Sequence, residues 1–164
     1  MNARTSRAKR RSAPAQTSRD TLHRDIANRV KKYGVVILAA ESPLKRVELV
    51  RAGLPALVLD ETAAILGIAK STLIRAAGIP VSTAGAQRRS GKPLSPEHSE
   101  KILRVLRATM RAEEVFGDKQ EGRGWLTDAV PALGGRRPLD LLDTQDGYEL
   151  VMNELDRIVF GAPA

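Results

Sequence analysis

The chain of 164 residues contains no cysteine, which excludes disulfides, thiolate zinc sites and cysteine nucleophiles together. Aromatics are scarce as well: one tryptophan, two tyrosines and two phenylalanines. A core must therefore be assembled from Leu, Val, Ile and Ala, which favours helices. A sandwich or barrel would draw on β-branched and aromatic residues at alternate positions. His23 and His98 are distant in sequence and lie among polar residues, so no histidine metal site is expected. With no base, nucleophile or metal constellation in view, neither an enzyme nor a cofactor is expected. No apolar run approaches the ~20 residues of a membrane-crossing helix; the longest is Val35-Val36-Ile37-Leu38-Ala39-Ala40. The chain is expected to be cytoplasmic and to have no membrane partner.

What is abundant is charge, and its placement is uneven. Lys and Arg number 27 against 19 Asp and Glu, a net charge of +8. Residues 1–32 carry ten basic and two acidic side chains, residues 33–112 twelve and six, and residues 113–164 five and eleven. A basic front suits a polyanion, and an acidic back suits a different, protein partner. Residues 1–20, rich in Arg, Ser and Ala, have nothing to bury and are expected to be a disordered basic arm.

From residue 21 the chain reads as helices. Leu22, Ile26 and Val30 repeat at i, i+4 and i+8 over residues 21–32. The run at 35–40 fits either a brief strand or a buried turn. Ser42-Pro43 is a start signal, with Ser as N-cap and Pro at the first helical position. The helix that follows carries Leu44, Val47 and Val50 on one face and stops at Gly53. Ser95-Pro96-Glu97 opens a long helix with Ile102, Leu103, Leu106, Met110 and Val115 in a stripe, ending near Gly117. A glycine-containing loop over residues 117–124 then leads to Trp125-Leu126. Thr144 is expected to cap a last helix with Tyr148, Val151, Leu155, Ile158 and Val159 on one face, ended by Gly161.

Two Gly-Ile pairs, Gly67-Ile68 and Gly78-Ile79, each suit the tight turn of a helix-turn-helix, where Gly accepts positive φ. With the turn at Gly67, the positions Ala63, Ile68 and Leu73 lock the pair, and Lys70, Ser71, Thr72 and Arg75 face DNA. With the turn at Gly78, the recognition helix spans residues 81–89. It then offers Ser82, Thr83, Gln87, Arg88 and Arg89, with Lys92 beyond, as the residue types that bond base edges and phosphates. Local pattern favours the first register, and charge favours the second.

In the acidic part, Trp125, Leu139, Leu141 and Leu142 read as core. Gly134-Gly135 reads as a turn of positive φ rather than a phosphate loop, since no strand precedes it and no Lys-Ser/Thr follows. Arg136 and Arg137 fit an interface or a solvated turn equally. Asp140, Asp143 and Asp146 are spaced like weak calcium ligands, but the bidentate Glu is misplaced, and helix capping is the better account.

Taken together, these blocks resemble the Xre/MbcA/ParS-type antitoxins, partners of RES-domain toxins. The resemblance covers roughly residues 42–164. It rests on Ser42-Pro43 with Glu48-Leu-Val-Arg-Ala-Gly-Leu-Pro55, Pro93-Leu-Ser-Pro-Glu97, Arg111-Ala-Glu-Glu-Val-Phe-Gly117 and Trp125-Leu126. It continues through Leu133-Gly-Gly-Arg-Arg-Pro-Leu-Asp-Leu-Leu-Asp-Thr144 to Gly147 and Gly161. The chain departs from the family pattern at Ala84-Gly85-Ala86-Gln87, where Thr-Leu and basic residues are typical, and at Gly122 and Gly124, where Ala is usual.

The resemblance implies an all-α protein: a helix-turn-helix bundle over residues 21–112, joined by a long helix to a small helical module over residues 113–164. It favours the Gly78 register. It further implies a homodimer that binds double-stranded operator DNA and represses its own operon. The partner would be a cognate RES-domain toxin that degrades NAD or transfers ADP-ribose, plugged at its active site by the C-terminal end. The residues expected to meet it are Arg136, Arg137, Arg157, Phe160, Gly161, Ala162, Pro163 and Ala164. The rival expectation is a stand-alone helix-turn-helix regulator whose C-terminal module serves dimerisation.

Overall fold

The computed structural model describes residues 14–161, less the side chains of residues 14–17, Tyr33, Ala84 and Arg88. Among these residues are eight α-helices and no strand, so the fold is all-α. Helix α1 (Pro14–Tyr33) begins inside the stretch expected to be a disordered arm, and residues 1–13 lie outside the described residues. Its i, i+4, i+8 stripe packs inward: Ile26 and Val30 are buried and Leu22 half-buried. Of its two readings, the run at 35–40 takes the buried turn and not the strand. It is a 3₁₀ turn, Val35–Leu38, whose Val35 and Leu38 are buried where α1, α3 and α6 meet.

Helix α2 (Pro43–Ala52) starts as its sequence prescribes, with the Ser42 hydroxyl accepting from Lys45 N at 3.3 Å and Pro43 in the first turn. Which face it buries differs from the expectation. Leu44 is 72% exposed and Val47 42%, whereas Leu49 is fully buried. The helix offers apolar residues on several sides, so periodicity alone does not orient it. The connection after it does: Leu94 N donates to Leu54 O at 2.8 Å, and Leu54 N donates to the buried Ser99 hydroxyl at 2.8 Å. That clip turns Leu49 and Leu54 into the core.

Three short helices follow: α3 (Leu57–Ile65), α4 (Lys70–Ala76) and α5 (Val81–Ser90). Helix α6 (Pro96–Phe116) is the axis of the molecule, capped by Ser95 accepting from His98 N at 3.2 Å and ended by left-handed Gly117. It touches α2, α3, α7, α8 and the 3₁₀ turn. Because neighbours cover it on several sides, its buried set is wider than one stripe: Ile102, Leu103, Val105, Leu106, Ala108, Thr109 and Ala112. Met110 and Val115 are only half-buried. His98, placed among polar residues by its sequence, is buried as well.

The segment expected as a loop over residues 117–124 is mostly helix α7 (Lys119–Thr127), with the Asp118 carboxylate accepting from Gln120 N and Glu121 N at 2.8 and 2.9 Å. Gly122 explains why this helix lies where it does. A Cβ there would stand 2.6 Å from the backbone of Ala112 and Glu113. Glycine here is a helix-crossing residue, and it lets α7 lie directly against the α6 backbone. Trp125 is half-buried, its ring 6.1 Å from that of Phe116, and Leu126 is fully buried.

Two 3₁₀ turns, Pro131–Leu133 and Pro138–Leu141, flank a tight reversal in which Gly134 and Gly135 take φ of 68° and 71°. Leu139 and Leu142 are buried and Leu141 half-buried. Helix α8 (Gln145–Phe160) is capped by Thr144, whose hydroxyl accepts from Gly147 N at 3.1 Å, and ended by left-handed Gly161. Tyr148, Val151 and Leu155 pack inward, but Ile158 and Val159, expected on the same face, are 40% and 49% exposed. The helix outruns the core that its first turns cover. All the buried apolar residues from Ile26 to Leu155, Val130 apart, form one continuous cluster.

Candidate functional site

Both glycines proposed as a helix-turn-helix turn adopt positive φ, Gly67 at 64° and Gly78 at 60°, so α3–α4 and α4–α5 are both tight turns between helices. They differ in what they present. Helix α4 is pinned: Leu73, Ile74 and Ala76 are buried, and Lys70 is tied to Asp60 at 2.7 Å, leaving Ser71 and Arg75 exposed. Helix α5 stands out from the body, and none of its described side chains is buried. Ser82, Thr83, Gln87 and Lys92, together with Ala86 and Ser90, line a shallow groove of about 470 Å³ along it. Arg89 is exposed on the same helix, its guanidinium lying near Gly85, where a Cβ would be 3.5 Å away. The side chain of Arg88 lies outside the described residues. The structure therefore gathers Ser82, Thr83, Gln87 and Lys92 onto one surface, with Arg89 beside it. Hydroxyl and amide groups there can bond base edges or phosphates, and the two cations can neutralise phosphate charge.

The residues expected to meet a protein partner fall into two groups. Arg136 and Arg137 sit on the turn after Gly135. Arg136 is exposed, and Arg137 is held by a bidentate pair to Asp140 at 2.7 and 2.9 Å. That pairing holds the Arg137 guanidinium above its ordinary pKa, chiefly through the hydrogen bond to Asp140. Arg157 pairs with Glu154 at 2.9 Å on α8. Beyond it, Phe160 is 80% exposed and Gly161 is exposed, while Ala162, Pro163 and Ala164 lie outside the described residues. Sequence reasoning missed how apolar this end is. Ile158, Val159 and Phe160 form a consecutive exposed apolar run at the tip of an otherwise acidic module.

A further cluster escaped the sequence reading. Arg107 lies over the Tyr148 ring, 5.0 Å from its centroid. Arg104 donates to Leu142 O at 3.4 Å, and Arg111 reaches Asp156 on α8 at 2.7 Å. Burial pushes the Tyr148 hydroxyl above its ordinary pKa, against the opposing pull of Arg107, Arg46 and Arg104. The i, i+3, i+7 spacing of Arg104, Arg107 and Arg111 on one helix was the available signal.

Comparison with known proteins finds two family matches along the chain. Residues 45–107 match the family described as the antitoxin Xre-like helix-turn-helix domain. Residues 111–161 match the antitoxin Xre/MbcA/ParS C-terminal toxin-binding domain. Among curated proteins the chain is similar to the "Prs ADP-ribosylating antitoxin" of a Sphingobium species, 30% identical across 74% of this chain and 82% of the relative. It is similar also to the "Antitoxin Xre" of Yersinia enterocolitica, 31% identical across 70% and 78%, and to that of Photorhabdus laumondii, 32% identical across 66% and 74%.

Proposed function

We propose, from the premise that the chain belongs to the Xre/MbcA/ParS antitoxin family, that it neutralises a RES-domain toxin with the C-terminal end of α8 and represses its own operon through α5. The observation that carries the toxin reading is the exposed run Ile158, Val159 and Phe160, set at the end of an acidic module and followed by left-handed Gly161. An apolar tip anchors in a pocket, while surrounding acids complement the arginines that an NAD-binding cleft uses for phosphate. The name of the Sphingobium relative favours ADP-ribosyl transfer over NAD degradation as the toxin's chemistry.

Co-expression with the neighbouring reading frame tests this. The intact chain should rescue growth, and a chain ending at Val159 should fold yet fail to rescue. Rescue by the truncated chain would move inhibition elsewhere. A neighbour that is harmless alone would favour the rival reading, a stand-alone regulator.

For DNA, the exposed α5 with its hydroxyl, amide and cationic side chains supports direct reading in the major groove, the chain acting as a homodimer on a two-fold operator. Arg89→Ala should lower the log–log salt slope of DNA binding by about one. A slope unchanged in Arg89→Ala but reduced in Arg75→Ala would place the DNA on α4 instead.

A further inference from the structure

No described side chain of helix α5 is fully buried, and only Thr83, Gly85 and Gln87 are half-buried, so its direction leans on its attachment, the turn at Gly78. That turn is tied to α6 and lies beside the C-terminal half. From α6, the Lys101 ammonium donates to Gly78 O at 3.2 Å and pairs with Glu97 at 3.0 Å, with only 18% of the lysine side chain exposed. A carbonyl just past the end of α4 lacks a helical donor, and a cation there also meets the negative end of the helix dipole. From the other side comes Asp143, in the C-terminal half. A Cβ on Gly78 would stand 3.4 Å from the Asp143 Cβ, 3.9 Å from its Oδ2 and 3.6 Å from Lys101 Nζ. These are ordinary van der Waals distances; what favours glycine at this turn is its φ of 60°. The turn between α4 and α5 is thus hydrogen-bonded to a lysine of the central helix and lies beside an aspartate one residue before the α8 cap.

We propose that Lys101 is a positioning residue for DNA binding. It touches no DNA; it fixes the Gly78 turn and so the angle at which α5 is offered. Asp143, from the C-terminal module, lies beside the same turn in ordinary van der Waals contact. The inference rests on the reading of α4–α5 as the DNA-binding pair.

The test measures anisotropy titrations of the full chain against two labelled duplexes: the region upstream of its own reading frame, and a scrambled duplex of equal length and composition. Each is titrated over a range of salt, with thermal melts in parallel. Lys101→Met should weaken binding to the upstream duplex about tenfold, the scale of one lost charge-assisted hydrogen bond. It should leave the scrambled duplex and both salt slopes unchanged. Lys101→Arg should recover most of the loss, because it keeps a donor for the Gly78 carbonyl. Should Lys101→Met fail to fold, Lys101→Gln, which removes the charge and shortens the reach to the Gly78 carbonyl, carries the same selective loss.

Equal weakening on both duplexes with a slope lower by about one would make Lys101 a phosphate contact and sink the proposal. So would unchanged affinity on the upstream duplex. A wild-type chain that does not distinguish the two duplexes would instead remove the DNA-reading premise itself.

Discussion

At the scale of single residues, the Tyr148 hydroxyl stands out: it is buried and, among the described residues, has no hydrogen-bond partner. A buried unsatisfied hydroxyl costs about 1–3 kcal/mol in lost hydration. Tyr148→Phe removes the group and keeps the ring beneath Arg107, so stability at neutral pH should hold or rise by up to about 1 kcal/mol in urea denaturation. The pH dependence has a definite sign. The folded pKa lies above the ordinary value of 10.0, chiefly because burial disfavours the phenolate. Its contribution is therefore fully present below that value and is lost as pH rises through the folded pKa. Tyr148→Phe should flatten this alkaline limb; an unchanged limb would refute the assignment. Two helical glycines make a second residue-scale contrast. Gly122→Ala drives a methyl into the α6 backbone and should cost about 1–3 kcal/mol. Gly124 has nothing within 4 Å of an added Cβ, so Gly124→Ala should stabilise by about 0.5–1 kcal/mol. Thermal melts of the two variants check both signs.

At the scale of elements, helix ends were readable and helix faces often were not. Ser42, Ser95 and Thr144 cap the helices their sequences mark, each accepting from a backbone N–H three residues on. Capping needs only residues a few positions apart. Facing needs a partner surface, and α2 shows the consequence. Leu49→Ala, at a fully buried position, should cost about 2–5 kcal/mol, whereas Leu44→Ala should stay within about 0.5 kcal/mol of wild type. A large loss at Leu44 in the monomer would contradict the orientation of α2. For α7 the local signals misled, because two glycines within nine residues read as a loop. What makes the segment helical is the Asp118 cap and the close crossing against Ala112. In α8 the apolar spacing was legible through Leu155, but where the core stops was not.

At the scale of the whole molecule, the two family matches divide the chain near residue 110, yet the core does not divide. Leu139, Leu142, Tyr148, Val151 and Leu155 belong to the same buried cluster as Ile102 and Leu106 of α6. Calorimetry of the full chain should therefore show one cooperative transition; two resolved transitions would mean that the halves are independent. For the same reason, residues 1–112 alone should melt well below the full chain, since α6 would expose the face that α7 and α8 cover.

The sequence alone determined the helical class, through a composition too poor in aromatics for a sheet core and through apolar repeats at helical spacing. It also determined the caps, the positive-φ glycines and the split between a basic front and an acidic back. Those depend on residue type and on neighbours within one helical turn. The candidate DNA-facing residues were legible as types. That Ser82, Thr83, Gln87 and Lys92 share one groove on a helix with no buried described side chain was not. Only the tertiary structure decided which side of α2 is buried, that α7 is a helix, and that Lys101 and Asp143 meet at Gly78. Each of these depends on surfaces brought together from tens of residues apart, and their distance in the chain carries no trace of that meeting.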